Sequence, residues 1–301
     1  MQPYRSVLFV PGHRSAWVDK AVAAGADCIV LDLEDSVPAS QKAAAREVVA
    51  SSITRLRESH LDVGVFVRVN PLATRLTGGD LEAVTVPGLH GIFAPKIEQA
   101  TDVLQYDALL DHFETRSGVG GLEYIVPVET VKAIQNAREV ASASARVGAM
   151  IGPTAEHADI ARAVGYEWTP EGLETLYLRS RVLLACREAG IHPLTGLWED
   201  LENLQGLKEF AVRGRQLGFR GMIAIHPSHV ATINEVFTPS AETVAFYEGM
   251  VAAYESAAQQ GTGALRYRGL HIDKAHYDKA VEWLGRARRT TEAPTAPGET
   301  S

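Results

Sequence analysis

The chain has 301 residues, 46% of them hydrophobic, with a formal net charge of −8 and a pI of about 5.7. This length suffices to bury a large core, while the acidic balance, without any long basic run, argues against nucleic acid as a partner. Two cysteines without metal-ligand spacing, no secretory signal and no apolar run of about 18 residues predict a reduced, cytoplasmic protein that does not associate with a membrane.

Eight short apolar runs, rich in Val and Ile and with little polar alternation, predict strands that are covered on both faces. The predicted strands are 7–10, 28–33, 63–69, 91–95, 124–128, 147–151, 193–197 and 222–225.

Amphipathic segments with recognisable ends separate these strands. The triplet Thr-Pro-Glu at 169–171 predicts the start of a helix that runs to about Gly190, because it offers a cap, a proline at the first position and an acid in the first turn. Asp200 or Asn203 is predicted to open the next helix, which ends near Gly218.

Strand-then-helix units repeated eight times within roughly 235 residues predict an α/β fold of the (β/α)8 TIM-barrel type over residues 1–236. The rival fold is an open, doubly wound sheet, which would place a glycine-rich phosphate loop after the first strand. Residues 10–14, Val-Pro-Gly-His-Arg, do not form such a loop.

Residues 237–288 are predicted to form a C-terminal extension, and residues 289–301 a disordered tail, because the tail offers almost nothing to bury. The extension is predicted to contain, in order, a helix at 240–260, a glycine hinge at 261–263, an extended stretch at 267–272 and a helix from Asp273 to about Arg288.

Catalytic residues of such a barrel lie at the C-terminal ends of its strands. The polar residues at these ends are Asp32, Glu34 and Asp35 at the end of strand two, Arg68 and Asn70 at the end of strand three, Lys96 and Glu98 after strand four, Glu129 after strand five, Glu156, His157 and Asp159 after strand six, and His226 with Pro227 after strand eight.

Glu129 and Asp159 suit a hard cation such as Mg²⁺, which binds one or two carboxylates and keeps positions for water and substrate oxygens. A 2-oxo-acid can chelate such an ion, and stabilisation of an enolate is the chemistry that the ion supplies. Glu156 and His157 compete with Asp159 for the ligand role. For Glu129 the alternative is an acid that only stabilises a helix N-terminus.

Arg68 is predicted to bind the substrate carboxylate through two parallel hydrogen bonds. The alternative is a salt bridge to Asp32 or Glu34. Lys96 is predicted to meet a phosphate or carboxylate of the substrate, or else to pair with Glu98 or Asp35.

Asp32, Glu34 and Asp35 form a dense acidic patch, which needs a compensating cation. Lys42 and Arg46, four residues apart on the next helix, are the predicted compensators. A structural network and a substrate-binding role both remain open for this patch. At the end of strand eight, His226 and Pro227 are predicted to contact the substrate, or to satisfy buried backbone groups.

Several segments together resemble the citrate lyase β-subunit-like proteins of the HpcH/HpaI aldolase superfamily, which includes malyl-CoA and citramalyl-CoA lyases. The segments are 5–12 (RSVLFVPG), 32–37 (DLEDSV), 67–70 (VRVN), 95–96 (PK), 128–130 (VET), 218–221 (GFRG) and 225–227 (IHP), in the family's order.

This resemblance implies a (β/α)8 barrel with a C-terminal helical lid, assembled as a homotrimer or a hexamer. It implies Mg²⁺ held by Glu129 and Asp159, and Arg68 on the substrate carboxylate. It also implies that Asp273 reaches into a neighbouring subunit as a catalytic acid/base, although Asp273 is also placed to cap the last helix. Asp35 stands where related aldolases carry a catalytic histidine, which favours the lyase branch with Asp35 as a catalytic residue.

The sequence departs from the family in two places: His229 stands where the family carries a glutamine, two residues after Pro227, and the segment between Gly152 and Asp159 is longer. Gly152 and Asp159 are seven positions apart, whereas the family spaces the equivalent glycine and aspartate three apart. Asp159 is aligned as the metal ligand because the spacing from Asp159 to Gly165 is kept. Glu156, inside the insertion, is the alternative ligand.

The sequence therefore predicts a Mg²⁺-dependent carbon–carbon lyase that converts a 3-hydroxy-acid or its acyl-CoA thioester to a 2-oxo-acid such as glyoxylate, pyruvate or an oxaloacetate-like acid. One alternative is an aldolase for free acids that does not use CoA. Another is a non-catalytic regulatory protein that binds an oxo-acid or CoA on the same barrel, since a fold does not fix a function.

Overall fold

The computed structural model describes residues 1–59 and 63–291. The chain divides into two compact units, the first spanning Pro3–Phe237 and the second beginning at Thr238. The boundary between the units lies one residue from the one predicted between barrel and extension.

Eight parallel strands of the first unit close into a barrel in which each strand pairs with the next along the chain and β8 pairs with β1. The strands are β1 (Ser6–Pro11), β2 (Cys28–Asp32), β3 (Gly64–Arg68), β4 (Gly91–Phe93), β5 (Glu123–Pro127), β6 (Val147–Gly152), β7 (His192–Thr195) and β8 (Gly221–Ala224). The predicted (β/α)8 fold is confirmed, and each strand lies within two residues of its predicted position.

Ten helices of the described chain flank this barrel or connect its strands. They are α1 (Ser15–Ala23), α2 (Lys42–Glu58), α3 (Thr77–Val84), α4 (Ala100–Ser117), α5 (Val131–Gln135), α6 (Ala137–Ala141), α7 (Asp159–Val164), α8 (Leu176–Ala189), α9 (Leu204–Leu217) and α10 (Val230–Phe237). Of the two caps predicted for α9, Asn203 is the one that acts, since its side chain accepts a 2.8 Å hydrogen bond from the Gly206 amide.

Strand β2 shows why the apolar runs lack polar alternation. Cys28 and Val30 pack inside the barrel in one buried cluster, whereas Ile29 and Leu31 pack in a second cluster that includes the helices. A strand buried on both faces needs apolar side chains at every position, and Cys28 is therefore a core residue.

The predicted helix start at 169–171 is wrong. The Thr169 hydroxyl donates a 2.8 Å hydrogen bond to the Glu174 carboxylate, and Gly172 adopts a left-handed backbone with φ of 67°. These local bonds close a turn and delay α8 to Leu176. Its predicted end is confirmed, because Gly190, with φ of 71°, terminates the helix as glycine commonly does.

The second unit consists of α11 (Ala241–Gln259), β9 (Ala264–Tyr267), β10 (Leu270–Asp273) and α12 (Lys274–Thr291), with a small core around Met250, Ile272 and Ala280. The predicted single extended stretch is instead an antiparallel hairpin. Its two turn residues, Arg268 and Gly269, both have positive φ, as a tight hairpin turn requires.

Helix α12 extends to Thr291, three residues into the segment predicted to be disordered, and residues 292–301 lie outside the described residues. Among the described helices, none combines the length and the apolar character needed to cross a membrane.

Candidate active site

The ends of β2 and β3 bring Asp32 and Arg68 together, because these two residues are paired in register. Arg68 donates from Nε and Nη2 to the two oxygens of Asp32 at 2.7 and 2.6 Å. Its Nη1 lies 3.0 Å from a carboxylate oxygen of Glu34 and 3.4 Å from one of Asp35. Its guanidinium carbon lies 5.1 Å from the centroid of the Phe9 ring. The salt bridge considered as the alternative for Arg68 is therefore present.

Asp32 and Glu34 differ in their protonation although both are buried. Burial opposes the charge of Asp32, but the hydrogen bonds from Arg68 and from the Glu34 and Ser36 amides hold its pKa below the usual range. Burial raises the pKa of Glu34 to about 7, with Arg68 opposing the rise and the neighbouring carboxylates adding to it. Glu34 is therefore the member of the acidic patch that can hold or release a proton near neutral pH.

The side chain of Lys42 supports the acidic segment 32–35 by binding backbone carbonyl oxygens within it. Its Nζ donates to the carbonyl oxygens of Leu33 and Glu34 at 2.8 and 3.0 Å, and to Oδ1 of Asn70 at 2.6 Å. The lysine thus ties the segment after β2 to the segment after β3, through neutral oxygens and not through the carboxylates that it was predicted to compensate, which pair with Arg68.

Arg46 does not compensate the acidic patch, and that prediction is wrong. Its Nε donates to Oδ1 of the fully buried Asp80 at 2.7 Å. The other oxygen of Asp80 accepts hydrogen bonds from the amide nitrogen and the side-chain Nδ2 of Asn70, both at 2.7 Å. Sequence reasoning missed Asp80, although an acid in the first turn of α3 was a visible signal.

Lys96 brings the two predicted metal ligands together. Its backbone amide donates to Oε1 of Glu129 at 2.9 Å, and its Nζ lies 3.4 Å from the same oxygen. The same Nζ also forms an ion pair with Asp159, whose other oxygen accepts from Arg162 at 3.1 Å. The predicted partners of Lys96, Glu98 and Asp35, are therefore wrong.

The charges around Lys96 stabilise one another. The hydrogen bond from Lys96 lowers the pKa of Asp159 below its usual value, against a smaller opposing effect of burial. Burial disfavours the ammonium of Lys96, but Asp159 and Glu129 together raise its pKa. The Asp159 carboxylate is therefore held in its ionised form, and it shares the ammonium of Lys96 with the carboxylate of Glu129.

A divalent cation fits this arrangement. Glu129 and Asp159 offer carboxylate oxygens, which Mg²⁺ prefers, and they approach one ammonium group from the segments that follow β5 and β6. The donor set and the shared cation thus agree with a metal held between these two residues.

Glu156, the alternative ligand, belongs to a different group. The amides of Glu156 and His157 donate to one carboxylate oxygen of Glu199 at 2.8 and 3.0 Å. Ligand atoms of the three side chains lie within 4.8 Å of one another. Glu156 thus belongs to a group that could itself hold a metal ion, whereas Asp159 shares Lys96 with Glu129.

A cavity of about 440 Å³ opens beside Arg68, between β1, β2, β3 and β8. Apolar side chains make up most of its wall, and its other notable lining residues are Trp17, Lys20, Asp32, Arg68, His226 and Pro227. The predicted pair His226–Pro227 therefore faces the same space as Arg68. The Nδ1 of His226 is 2.7 Å from the Ser228 hydroxyl. Trp17 and Lys20 escaped sequence reasoning because they lie on α1, away from the strand ends.

Asp273 caps the last helix of the second unit. Its Oδ1 accepts from the amides of Ala275 and His276 at 3.0 and 3.3 Å and lies 2.7 Å from Nδ1 of His276. The hydrogen bond to His276 lowers the pKa of this carboxyl. Capping, the alternative considered for Asp273, is thus observed, while its role in a neighbouring subunit stays a prediction.

The amino-acid sequence matches the family described as HpcH/HpaI aldolase/citrate lyase over residues 5–227. The chain belongs to this family. The resemblance inferred from the motifs is therefore confirmed, and with it the prediction that the protein is an enzyme of the carbon–carbon lyase class.

Two relatives and one solved structure illustrate the relationship of this HpcH/HpaI family member. A citrate lyase subunit beta-like protein of Deinococcus radiodurans is 35% identical over 278 residues, 92% of this chain and 94% of the relative. An L-malyl-CoA/beta-methylmalyl-CoA lyase of Cereibacter sphaeroides is 35% identical over 303 residues, with 93% of each chain covered. The CitE protein of Mycobacterium tuberculosis, solved with magnesium, acetoacetate and coenzyme A, superposes with a TM-score of 0.70 at 28% identity, covering 94% of this chain and 98% of that one.

Proposed function

We propose that the protein is a Mg²⁺-dependent lyase for a 3-hydroxyacyl-CoA that carries a carboxylate next to its hydroxyl carbon. The observation that carries this proposal is the pairing of Glu129 and Asp159 around one cation at the barrel mouth. A base takes the proton of the hydroxyl on C3, the bond between C2 and C3 breaks to release a 2-oxo-acid such as glyoxylate or pyruvate, and the electron pair stays on C2 beside the thioester carbonyl. A proton then converts that carbon to the acyl-CoA product.

Each residue of the site has a role in this reaction. Glu129 and Asp159 would hold the divalent cation, whose chemistry when bound is Lewis-acid polarisation of the oxygen on C3. Arg68 binds the oxo-acid portion through Nη1, while Asp32 fixes the orientation of its guanidinium. Asp32, Glu34 and Asp35 shape the substrate site by holding the guanidinium of Arg68, and Lys96 lies at the two metal ligands beside the bound carboxylate.

Proton transfer needs a group that changes its protonation near neutral pH. Glu34 meets this condition within the chain, because its pKa is about 7. Asp35 is the more exposed carboxylate beside Arg68 and is a second candidate. Asp273 of a neighbouring subunit is the third, in a homotrimeric or hexameric assembly in which residues 237–288 act as the lid.

The cavity beside Arg68 supports the use of a CoA thioester. Its apolar wall suits the flexible arm of such a substrate, and Lys20 supplies a positive charge on its lining. The guanidinium of Arg14 lies 6.0 Å from the centroid of the Trp17 ring, so a second cation stands near the same wall. A relative named as a malyl-CoA lyase and the CitE complex with coenzyme A agree with this assignment.

The proposal is tested by assaying malyl-CoA, citramalyl-CoA and the corresponding free hydroxy-acids, with and without MgCl₂. We expect cleavage of a thioester that requires Mg²⁺, and a fall of at least about 100-fold in kcat/KM for Glu129→Gln and for Asp159→Asn, since a lost ligand removes several kcal/mol of transition-state stabilisation. Glu188→Gln is the matched control, because Glu188 pairs with Arg138 at an exposed position outside the site. Cleavage of free acids alone would favour the aldolase alternative, and unchanged rates in both variants would refute the metal assignment.

A further inference from the structure

The Lys96 ammonium lies between the carboxylates of Glu129 and Asp159. Its Nζ contacts both carboxylates, and the contact with Asp159 is the shorter one. Arg162 is a second cation on Asp159, at 3.1 Å, but its side chain is 85% exposed and approaches the other carboxylate oxygen. Lys96 is therefore the cation that compensates the pair from the inside.

The backbone of Lys96 is arranged to deliver this side chain. Lys96 adopts φ of 54°, in the left-handed region that residues other than glycine, asparagine and aspartate seldom enter. The amide of the same residue donates to Glu129 at 2.9 Å. A conformation of this kind persists where its surroundings impose it, and here the imposed geometry places both the amide and the ammonium of one residue on a metal ligand.

We propose that Lys96 is an internal counter-cation that a divalent metal must displace in order to bind Glu129 and Asp159. This inference rests on the proposed function, because it takes the two carboxylates as the metal ligands. Metal binding is then an exchange of one cation for another. The amide bond to Glu129 keeps the Lys96 backbone in place while the ammonium leaves.

The exchange has a measurable consequence for affinity. If the ammonium occupies the site for more than about nine-tenths of the time, the apparent dissociation constant of the metal is raised at least about tenfold over that of the open site. Removing the ammonium while keeping the length of the side chain should therefore tighten metal binding. It should also leave the two carboxylates uncompensated in the metal-free protein.

The experiment compares the full-length wild-type protein with Lys96→Met by calorimetric titration with MgCl₂ and by thermal unfolding in EDTA and in saturating MgCl₂. We expect Lys96→Met to bind Mg²⁺ at least about tenfold more tightly, to unfold at a lower temperature in EDTA, and to gain more from Mg²⁺ than the wild type. Lys132→Met is the matched control, because Lys132 pairs with Glu98 near the same barrel mouth and contacts neither ligand. Equal or weaker Mg²⁺ binding by Lys96→Met would overturn the exchange.

A measurement on the unmodified protein covers the case in which the variant does not fold. Acylation of lysines by an amine-reactive ester, read by mass spectrometry, should modify Lys96 slowly in EDTA and faster in MgCl₂, with Lys132 unchanged. Equal or slower modification of Lys96 in MgCl₂ would contradict the exchange.

Failure of the metal assignment and failure of the cation exchange give different experimental results. If Glu129→Gln and Asp159→Asn both bind Mg²⁺ as the wild type does, the metal assignment of the proposed function fails and the exchange fails with it. If both variants lose Mg²⁺ binding while Lys96→Met leaves the affinity unchanged, only the exchange is refuted.

Discussion

At the scale of single residues, the strand ends were visible in the sequence but their pairings were not. Arg68 and Glu129 were visible because each is a polar residue that interrupts an apolar run, Arg68 at the end of β3 and Glu129 just after β5. The sharing of Lys96 by Glu129 and Asp159 depends on a left-handed backbone at Lys96, and nothing in the local sequence encodes that conformation. The sequence left two partners possible for Arg68, a substrate carboxylate or an acidic residue after β2. The geometry shows that Asp32 accepts hydrogen bonds from two of its donors, Nε and Nη2.

Glu34 leads to a prediction about pH. Its pKa is raised by burial to about 7, from a usual value near 4.5, so the folded protein binds more protons than the unfolded chain between these values. Stability must then fall as pH rises through this window. We expect metal-free Glu34→Gln to match the wild type in free energy of unfolding at pH 5 and to exceed it at pH 8.

The comparison with Glu34→Gln isolates this group, because every other titrating residue is common to both proteins. Urea unfolding in EDTA at the two pH values measures the difference directly. A difference that does not grow with pH would show that Glu34 titrates normally in the folded protein.

At the scale of elements, the sequence predicted the strands, whose composition is imposed by burial, but it did not predict the helix start that local hydrogen bonds determine. All eight strands were visible because both of their faces are buried, which leaves long Val- and Ile-rich runs. The start of α8 was misplaced because Thr169 bonds to Glu174 and closes a turn instead of capping a helix. The hairpin of β9 and β10 was read as one extended stretch because its turn has only two residues, Arg268 and Gly269.

The connection between α2 and α3 yields a prediction about stability. Asp80 is fully buried and accepts hydrogen bonds from Arg46 and twice from Asn70, which in turn holds Lys42. Asp80→Asn removes the charge that Arg46 needs, and breaking a buried pair in this way costs about 3 kcal/mol. We expect a loss of that size in the free energy of unfolding, measured with urea.

Asp19→Asn is the control for Asp80→Asn, because Asp19 pairs with Arg55 of the same helix α2 but both side chains are about half exposed or more. Exposed ion pairs contribute about 0–1 kcal/mol. Equal losses in the two variants would mean that the burial of Asp80 does not increase the contribution of its ion pair with Arg46 to the free energy of unfolding.

At the scale of the whole molecule, the residues proposed for catalysis are divided between the two units of the chain. The first unit supplies Arg68, Glu129 and Asp159, whereas Asp273 belongs to the second unit and caps α12 there. The family resemblance predicts that Asp273 serves a neighbouring subunit. Asparagine caps helices as well as aspartate does, so Asp273→Asn removes the acid and keeps the helix.

This difference allows a complementation experiment. We expect Glu129→Gln and Asp273→Asn each to be nearly inactive alone, since one lacks a metal ligand and the other the acid. In a closed ring of chains each site takes Glu129 from one chain and Asp273 from its neighbour. Co-expression of the two variants in equal amounts should then restore about a quarter of the wild-type sites. A functional site needs an Asp273→Asn chain to supply Glu129 and a Glu129→Gln neighbour to supply Asp273, and each condition is met in about half of the cases. Full activity of Asp273→Asn alone would reduce Asp273 to a helix cap, whereas two inactive variants that fail to complement would place both residues in the site of a single chain.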